Sequence, residues 1–534
     1  LMFIKYFKLI PIILFFNQTP LYSKNKAFNE LNSHYLSSYF SGIVAYENKK
    51  NLEALEFFNS SRILINKHSP YLKKYIYSLV LENKIKKATN EIKRNLGKSN
   101  TEFFEGYIIL ALDSLKKNKL KKSRDYLEQS SDFIYNDRFK LVIYETLKQY
   151  LFVFDEKKFL KDEVKFGNLS FINKVFQSCY LDSKDTNTYF AQIINSNSDT
   201  DYSRYIFFNI NYLIENNKFN EATEIIDKED YLNSSILISQ GKKWIEEKKF
   251  DEFSKIFSCK NPNDIIGEFF FLIANLYSSQ YNYEKSNFYL NISNYLNPKF
   301  RFNLTLLAEN YYLNKNYKKA LKTLEYFDKK DDFYYWFKIK KQAQIIAKEK
   351  NKKDSINFIN EEFQKIRSPS IKMIFDVANF NKNSKKYKLA IDYYNKIISK
   401  IDITSNYYSE ILYRRGSSYE RLGDYTKSDE DLLRSLEINP DDAYVLNYLA
   451  YSWLERNYKI DVAMEMLEKA YEQEPEDAFI IDSIGWAHYL TGNYSEAEKL
   501  LKKAIQIMPD DPIVNDHYGD ILWKLDRKIE AQYF

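Results

Sequence analysis

Apolar residues recur along this chain at the three- and four-residue spacing of amphipathic helices, and long alternating runs typical of strands do not occur. A longer pattern is superimposed: a small residue in one helix is followed twelve positions later by a second small residue, often with a proline beyond it. In 484–509 (IGWAHYLTGNYSEAEKLLKKAIQIMP) the pair is Gly485 and Ala497, and Pro509 ends the unit. Small residues let two helices approach closely, and proline cannot continue a helix. The pattern therefore predicts an all-α fold of helix–turn–helix repeats.

The repeat has a period near 34 residues and keeps its phase over most of the chain. The first residue of each pair, here called the register position, lies at 274, 308, 343, 378, 416, 450, 485 and 519. Less regular pairs begin at 42, 76 and 111 and at 210 and 241, and the phase is lost between about 131 and 205. Repeats of this length stack into a solenoid, so we expect roughly thirteen to fifteen helix pairs.

The four best repeats, in 409–534, resemble the tetratricopeptide repeat, whose pattern is W-x2-L-G-x2-Y…A-x3-F…P. The resemblance implies a right-handed α-solenoid in which the first helix of each repeat lines a concave, partner-binding face. In that family the second, fifth, sixth, ninth and twelfth positions of the first helix tend to point inward. Applied to the last three repeats, these positions give a set of aromatic, acidic and amide residues: Tyr444, Asn447, Tyr448, Tyr451, Phe479, Asp482, Trp486, Tyr489, Asp516, His517, Asp520 and Trp523.

Such a surface suits an extended peptide, because rings supply contact area at low entropic cost and polar groups hold the backbone. The alternative for Trp486 and Trp523 is a place in the core between repeats. The peptide clamp of chaperone-binding family members is not expected, because Tyr413 and Ser417 stand where its Lys and Asn would be.

A closer similarity concerns the run DSIGWAHYLTGNYSEAEKLLKKAI and the following NDHYGDILWKLDRKIEAQYF. It is similar to the end of exported bacterial tetratricopeptide proteins and of lipoproteins that act as adaptors for a periplasmic processing protease. The similarity implies a non-enzymatic scaffold or adaptor with protein or peptide partners, a processing protease among them. Members of the group usually continue through the last helix, so we expect the chain to extend beyond Phe534.

The N-terminus has the form of a secretory signal at 1–23, with Lys5 and Lys8 before an apolar core, Leu9–Phe16. Secretion would place the protein in the bacterial periplasm, and an uncleaved segment anchoring it in the membrane is the alternative. No Cys follows the apolar core, so a lipoprotein anchor is not expected. The predicted organisation continues with degenerate helical repeats at 24–181, a polar linker or loop at 182–204, degenerate repeats at 205–408 and well-formed repeats at 409–534.

Charge is unevenly distributed along the chain. Residues 409–534 hold 26 Asp and Glu against 14 Lys and Arg, a net charge of −12, while the whole chain carries +6. The remainder is therefore basic. A solvated, lysine-rich helix exterior explains this, and the functional alternative is an envelope protein that binds polysaccharide or lipid through its basic N-terminal solenoid. Dispersed lysines without an Arg-rich or zinc motif argue against nucleic acid.

The sequence offers little support for catalysis, and we expect no enzyme activity, cofactor or metal. None of His34, His68, His488 and His517 belongs to a recognisable catalytic motif. His488 and His517 lie in adjacent first helices, where a metal site with neighbouring carboxylates is the alternative to hydrogen-bonded histidines. The acid pairs 441–442 and 510–511 follow prolines and predict helix starts. A catalytic domain hidden in 131–205 would need a convergent polar cluster.

The two cysteines, Cys179 and Cys259, leave two alternatives open. An oxidising compartment permits a disulfide. Two cysteines in a large solenoid are more often buried apolar residues.

Overall fold

The computed structural model of the protein describes residues 33–161, 163–195, 203–405 and 407–534. In these ranges the regular structure is helical, with 29 α-helices and two short 3-10 helices, and the expected all-α fold of repeated helix pairs is confirmed. The predicted signal segment lies outside the described residues. None of the described helices combines the length and apolar character that crossing a membrane requires.

The helices of the first half of the chain run from α1 to α15. They are α1 Ser33–Glu47, α2 Asn51–Ser60, α3 Ser69–Leu81, α4 Ile85–Asn95, α5 Phe104–Lys116, α6 Leu120–Ser130, α7 Arg138–Glu156, α8 Asn168–Leu181, α9 Thr186–Ile194, α10 Ser203–Glu215, α11 Phe219–Asp227, α12 Ile236–Glu246, α13 Asp251–Ile256, α14 Pro262–Ser279 and α15 Tyr283–Leu296.

The helices of the second half run from α16 to α29. They are α16 Asn303–Leu313, α17 Tyr317–Leu324, α18 Asp332–Glu349, α19 Lys352–Gln364, α20 Ile371–Asn383, α21 Tyr387–Ile398, α22 Tyr408–Glu420, α23 Tyr425–Ile438, α24 Ala443–Glu455, α25 Ile460–Gln473, α26 Ala478–Leu490, α27 Tyr494–Ile507, α28 Pro512–Lys524 and α29 Lys528–Ala531.

The turn inside each repeat follows the register found in the sequence. In twelve of the thirteen repeats, the residue seven positions after the register position has a positive φ. This left-handed residue ends the first helix and lets the chain reverse into the second. The exception is the turn between α18 and α19, where Lys350 has φ −119°. The twelve residues are Lys49, Asn83, Asn118, Asn217, Lys248, Tyr281, Lys315, Lys385, Gly423, Asn457, Gly492 and Asp526.

The second residue of each pair lies in the contact between the two helices. From Ala54 to Ala497 these residues are at most 4% exposed. Two serines bond directly to their register partners: Ser123 Oγ donates to the Ala111 carbonyl at 2.8 Å, and Ser355 Oγ to that of Ala343 at 2.7 Å. The twelve-residue spacing is therefore a packing contact between helices and not a coincidence of composition.

The region in which the repeat phase is lost is helical as well. It contains the long α7, then α8, and α9, which lies inside the stretch expected to be a polar linker or loop at 182–204. α9 forms because Phe190 and Ile193, which are 1% and 3% exposed, lie on one face of it and are buried. Among the described residues, no group of three His, Cys, Asp or Glu side chains is placed to hold a metal.

The chain forms two compact units that do not follow the linear order of the predicted domains. One contains the residues up to Ser183 together with Cys259–Asn303, and the other contains Lys184–Ser258 and Leu304–Phe534. In the first unit α15 packs on α3, and the ring of Phe288 stacks on Tyr77 at 4.3 Å. This aromatic contact explains why 259–303 joins the N-terminal helices.

The cysteines are paired, and the interpretation of them as free buried apolar residues is wrong. A disulfide joins Cys179, near the end of α8, to Cys259, which precedes α14, with 5.9 Å between their Cα atoms. The two residues are 80 positions apart in sequence but lie in the same unit. Sequence alone gave no means of placing the start of α14 near the end of α8.

Candidate partner-binding site

The predicted binding residues lie on α24, α26 and α28, the first helices of the last three repeats. Each helix begins at an aspartate whose carboxylate accepts hydrogen bonds from two backbone N–H groups: Asp442, Asp477 and Asp511. The acid pairs at 441–442 and 510–511 are thus helix starts, as expected, because a carboxylate there satisfies free N–H groups and favours the helix dipole. These caps fix where each helix, and so each binding position, begins.

Four predicted residues come together as a ring cluster: Tyr451, Trp486, Tyr489 and His517. Trp486 stacks on Tyr489 at 4.7 Å and on His517 at 4.1 Å, with the ring planes within 12° of parallel in both pairs. The ring centroids of Tyr451 and His517 are 6.3 Å apart. Because one ring comes from α24, two from α26 and one from α28, the cluster joins three successive repeats.

The base of the ring cluster is a buried histidine–aspartate pair. His517 Nδ1 lies 2.8 Å from Asp482 Oδ2, and both side chains are at most 7% exposed. The other oxygen, Asp482 Oδ1, is buried without a hydrogen-bond partner. The pair holds the imidazole ring in the orientation that stacks on Trp486.

Carboxylates surround the rings. Trp486 Nε1 donates to Glu455 Oε1 at 3.0 Å, and Asp516 and Asp520 lie exposed, four residues apart on α28. Partial burial of its carboxyl group, followed by the charge of Asp516, raises the pKa of Asp520 above its usual range. Burial, followed by the charge of Glu455, likewise raises the pKa of the Tyr451 hydroxyl. The surface around the rings is therefore acidic.

A second group of residues lies one repeat upstream. The Tyr448 hydroxyl donates to Glu420 Oε2 at 2.9 Å, and its ring meets that of Tyr413 edge-on at 5.7 Å. Asn447 Oδ1 is buried without a hydrogen-bond partner. Ser417 is not free to act in a peptide clamp, since Lys382 Nζ bonds to its hydroxyl at 2.5 Å.

The remaining predicted residues stay separate from the ring cluster. Tyr444, Phe479 and Trp523 are 52%, 56% and 55% exposed. Trp523 is therefore not part of the core between repeats, and Trp486 is only half-buried. The core position is occupied by Trp453, which is 2% exposed.

Sequence reasoning missed Glu420 and Glu455, which accept hydrogen bonds from the predicted rings. Both are the last residue of their helix, one position beyond the twelfth. Extending the inward-facing pattern by one residue would have found them. His488 lies beside Asn493, at 3.4 Å between side-chain nitrogens, and is not joined to His517.

Comparison with known proteins identifies the repeats. Sequence models of the tetratricopeptide repeat match residues 409–442 and 478–511. A tetratricopeptide repeat-containing protein of Pseudomonas aeruginosa is 34% identical over 110 residues, which are 21% of this chain and 18% of that protein. The chain thus spans less than a fifth of that relative's length.

Some solved structures resemble part of the chain. MamA from Desulfovibrio magneticus RS-1 is 17% identical and covers 32% of this chain and 92% of its own, with a TM-score of 0.27. A thermophilic tetratricopeptide protein of Thermus thermophilus is 18% identical and covers 30% and 86%, with a TM-score of 0.27. The chain thus contains tetratricopeptide repeats, and such repeats are generally non-enzymatic scaffolds for protein–protein interaction.

Proposed function

We propose that this chain is a non-enzymatic scaffold of the bacterial envelope that binds an extended segment of a protein partner across α24, α26 and α28. The observation that carries the proposal is the stack of Trp486 on Tyr489 and His517, which extends over neighbouring repeats. Exposed Tyr444, Phe479 and Trp523 lie on the same three helices. Large aromatic groups in partly desolvated positions are the usual energetic centres of protein interfaces.

The disulfide supports the envelope location. Disulfides persist in oxidising compartments such as the periplasm and are rare where thiols are kept reduced. The Cys179–Cys259 bond is consistent with export through the N-terminal segment. Fractionation of cells, with thiol alkylation of the recovered chain, tests this: a cytoplasmic chain with two alkylated cysteines would contradict the proposal.

The binding site is tested by affinity capture from envelope extract, comparing the wild-type chain with a Trp486→Ala/Asp516→Ala variant. Tyr135→Ala is the matched control, because that ring is 82% exposed and lies in the other unit. We expect a discrete protein to bind the wild type and the control and to be lost from the double variant. Each captured protein is then purified and its binding to the three chains measured directly.

A processing protease is the first partner to examine in the captured fraction, in view of the similarity of the C-terminal repeats to protease adaptors. Partners that bind the double variant as tightly as the wild type would show that the ring cluster is not the site.

A further inference from the structure

The ring cluster carries negative charge that the fold does not neutralise. Among the described residues, no Lys or Arg nitrogen lies within 4.0 Å of a carboxylate oxygen of Glu455, Asp516 or Asp520, although ion pairs are frequent elsewhere in the chain. Asp516 and Asp520 are four residues apart on one helix, where like charges destabilise. The like charges of Asp516 and Asp520 are therefore unfavourable for the fold by themselves.

Buried Asp482 adds to the negative charge of the ring cluster that no cation of the described chain neutralises. Asp482 is 7% exposed at its side chain, and only one of its oxygens has a partner, the His517 ring nitrogen. Its charge also raises the pKa of Tyr451, after burial and the charge of Glu455, which places it beside that ring. Burial of a carboxylate with an unpartnered oxygen is unfavourable unless a cation or donor compensates.

Two cations lie near the rings: burial raises the pKa of Tyr451 and of Tyr489, and the charges of Arg421 and Lys524, respectively, oppose that increase. Among the described residues, neither cation lies within 4.0 Å of a carboxylate oxygen of Glu455, Asp482, Asp516 or Asp520. Arg421 lies 3.5 Å from Glu420, and Lys524 lies over the Tyr494 ring at 5.4 Å. Carboxylates therefore outnumber cations around the rings. Aromatic rings beside unpaired carboxylates attract a Lys or Arg side chain, because its alkyl part packs on rings while its cation approaches carboxylates.

We propose that the partner segment bound at the ring cluster is basic and inserts a Lys or Arg side chain between the Trp486–Tyr489 stack and the carboxylates of Asp516 and Asp520. This inference rests on the proposed function and specifies the chemistry of its partner. It predicts a preference opposite to that of a clamp that binds a terminal carboxylate. Charge complementarity also predicts that salt weakens binding.

The test uses the full chain and three labelled twelve-residue peptides of one design, (Gly-Ser-Lys)4, (Gly-Ser-Gln)4 and (Gly-Ser-Glu)4, with binding followed by fluorescence anisotropy. The variant Asp516→Asn/Asp520→Asn removes the charges with little change of shape. Glu476→Gln/Asp526→Asn is the control, since it changes net charge equally at residues that are 81% and 86% exposed at their side chains. The variant Trp486→Ala measures how much the ring cluster contributes to peptide binding.

We expect the lysine peptide to bind the wild type about tenfold more tightly than the glutamine peptide, with that advantage lost in the Asn variant and kept in the control. Equal binding of the lysine and glutamine peptides, both lost in Trp486→Ala, would refute the cationic partner but leave the groove function intact. Tighter binding of the glutamate peptide would refute it as well.

Two further outcomes separate the two proposals. If the wild type self-associates in sedimentation and the Asn variant does not, the occupant is a second copy of this chain and the inference is wrong. If no peptide binds the wild type, and the captured partners bind Trp486→Ala as tightly as the wild type, the inference and the proposed function both fail.

Discussion

Replacement of Gly485 by alanine tests whether the twelve-residue pairing is set by close helix contact. A Cβ atom at Gly485 would lie 2.9 Å from Leu501 Cγ and 3.0 Å from Leu501 Cδ2, where ordinary carbon contacts are about 3.5–4.0 Å. Leu501 is fully buried, so it has little room to move. Overpacking of this kind costs about 1–3 kcal/mol, while alanine gains about 1 kcal/mol over glycine within a helix.

With Leu501 unable to yield, the overpacking cost lies near the upper end, and we expect a net loss of about 2 kcal/mol in the free energy of unfolding. Gly519 is the matched control at the same position of the next repeat. A Cβ atom there would lie 3.5 Å from the Ala531 carbonyl oxygen and 3.6 Å from Phe534 Cβ, which is ordinary contact. Gly519→Ala is therefore expected to be neutral or to stabilise by up to about 1 kcal/mol.

Native-state hydrogen exchange read by mass spectrometry measures both variants locally, which matters because a long repeat protein does not unfold in one step. Peptides from α26 and α27 should exchange about 30-fold faster in Gly485→Ala if exchange follows the local free energy. Those from α28 should be unchanged or slower in Gly519→Ala. Equal effects of the two substitutions, or slower exchange in Gly485→Ala, would refute the packing explanation.

Two predictions concern other parts of the chain. Replacing Cys179 and Cys259 by serine removes a covalent link across 80 residues, and the loss of chain-entropy restriction should cost up to about 4.5 kcal/mol of stability. Hydrogen exchange in α8 and α14 should therefore become faster, and unchanged protection would contradict this prediction. Burial, with the nearby Arg414 and Arg421, lowers the pKa of Lys382 from 10.5 to about 8. Between about pH 8 and pH 10.5 the unfolded chain holds a proton on Lys382 that the folded chain has lost, so the free energy of unfolding should rise with pH. The urea midpoint of unfolding should rise less over this range in Lys382→Met, which lacks the titrating group.

Much of the fold is fixed by local features that the sequence displays. The register position, the left-handed residue seven positions later and the buried partner twelve positions later all depend on interactions within one helix pair. Asp442 and Asp511 cap helices through their own neighbouring N–H groups. Because these contacts join residues that are close in sequence, their spacing can be recognised even in repeats that match the known repeat pattern weakly.

Most residues of the candidate site could also be predicted from the sequence, because a given position in the first helix faces the same side of every repeat. It identified Trp486, Tyr489 and His517, which the structure joins in one stack, but it also included Tyr444 and Trp523, which stand apart. Which rings meet depends on how successive repeats are offset, and that offset is a property of packing.

Tertiary structure alone decided the rest. The pairing of Cys179 with Cys259 depends on α14 returning to the N-terminal helices, where Phe288 stacks on Tyr77. The buried contact between Asp482 and His517 joins residues 35 positions apart. These contacts follow from burial of aromatic surface between distant segments, a sum over many weak interactions that no local pattern of residues encodes.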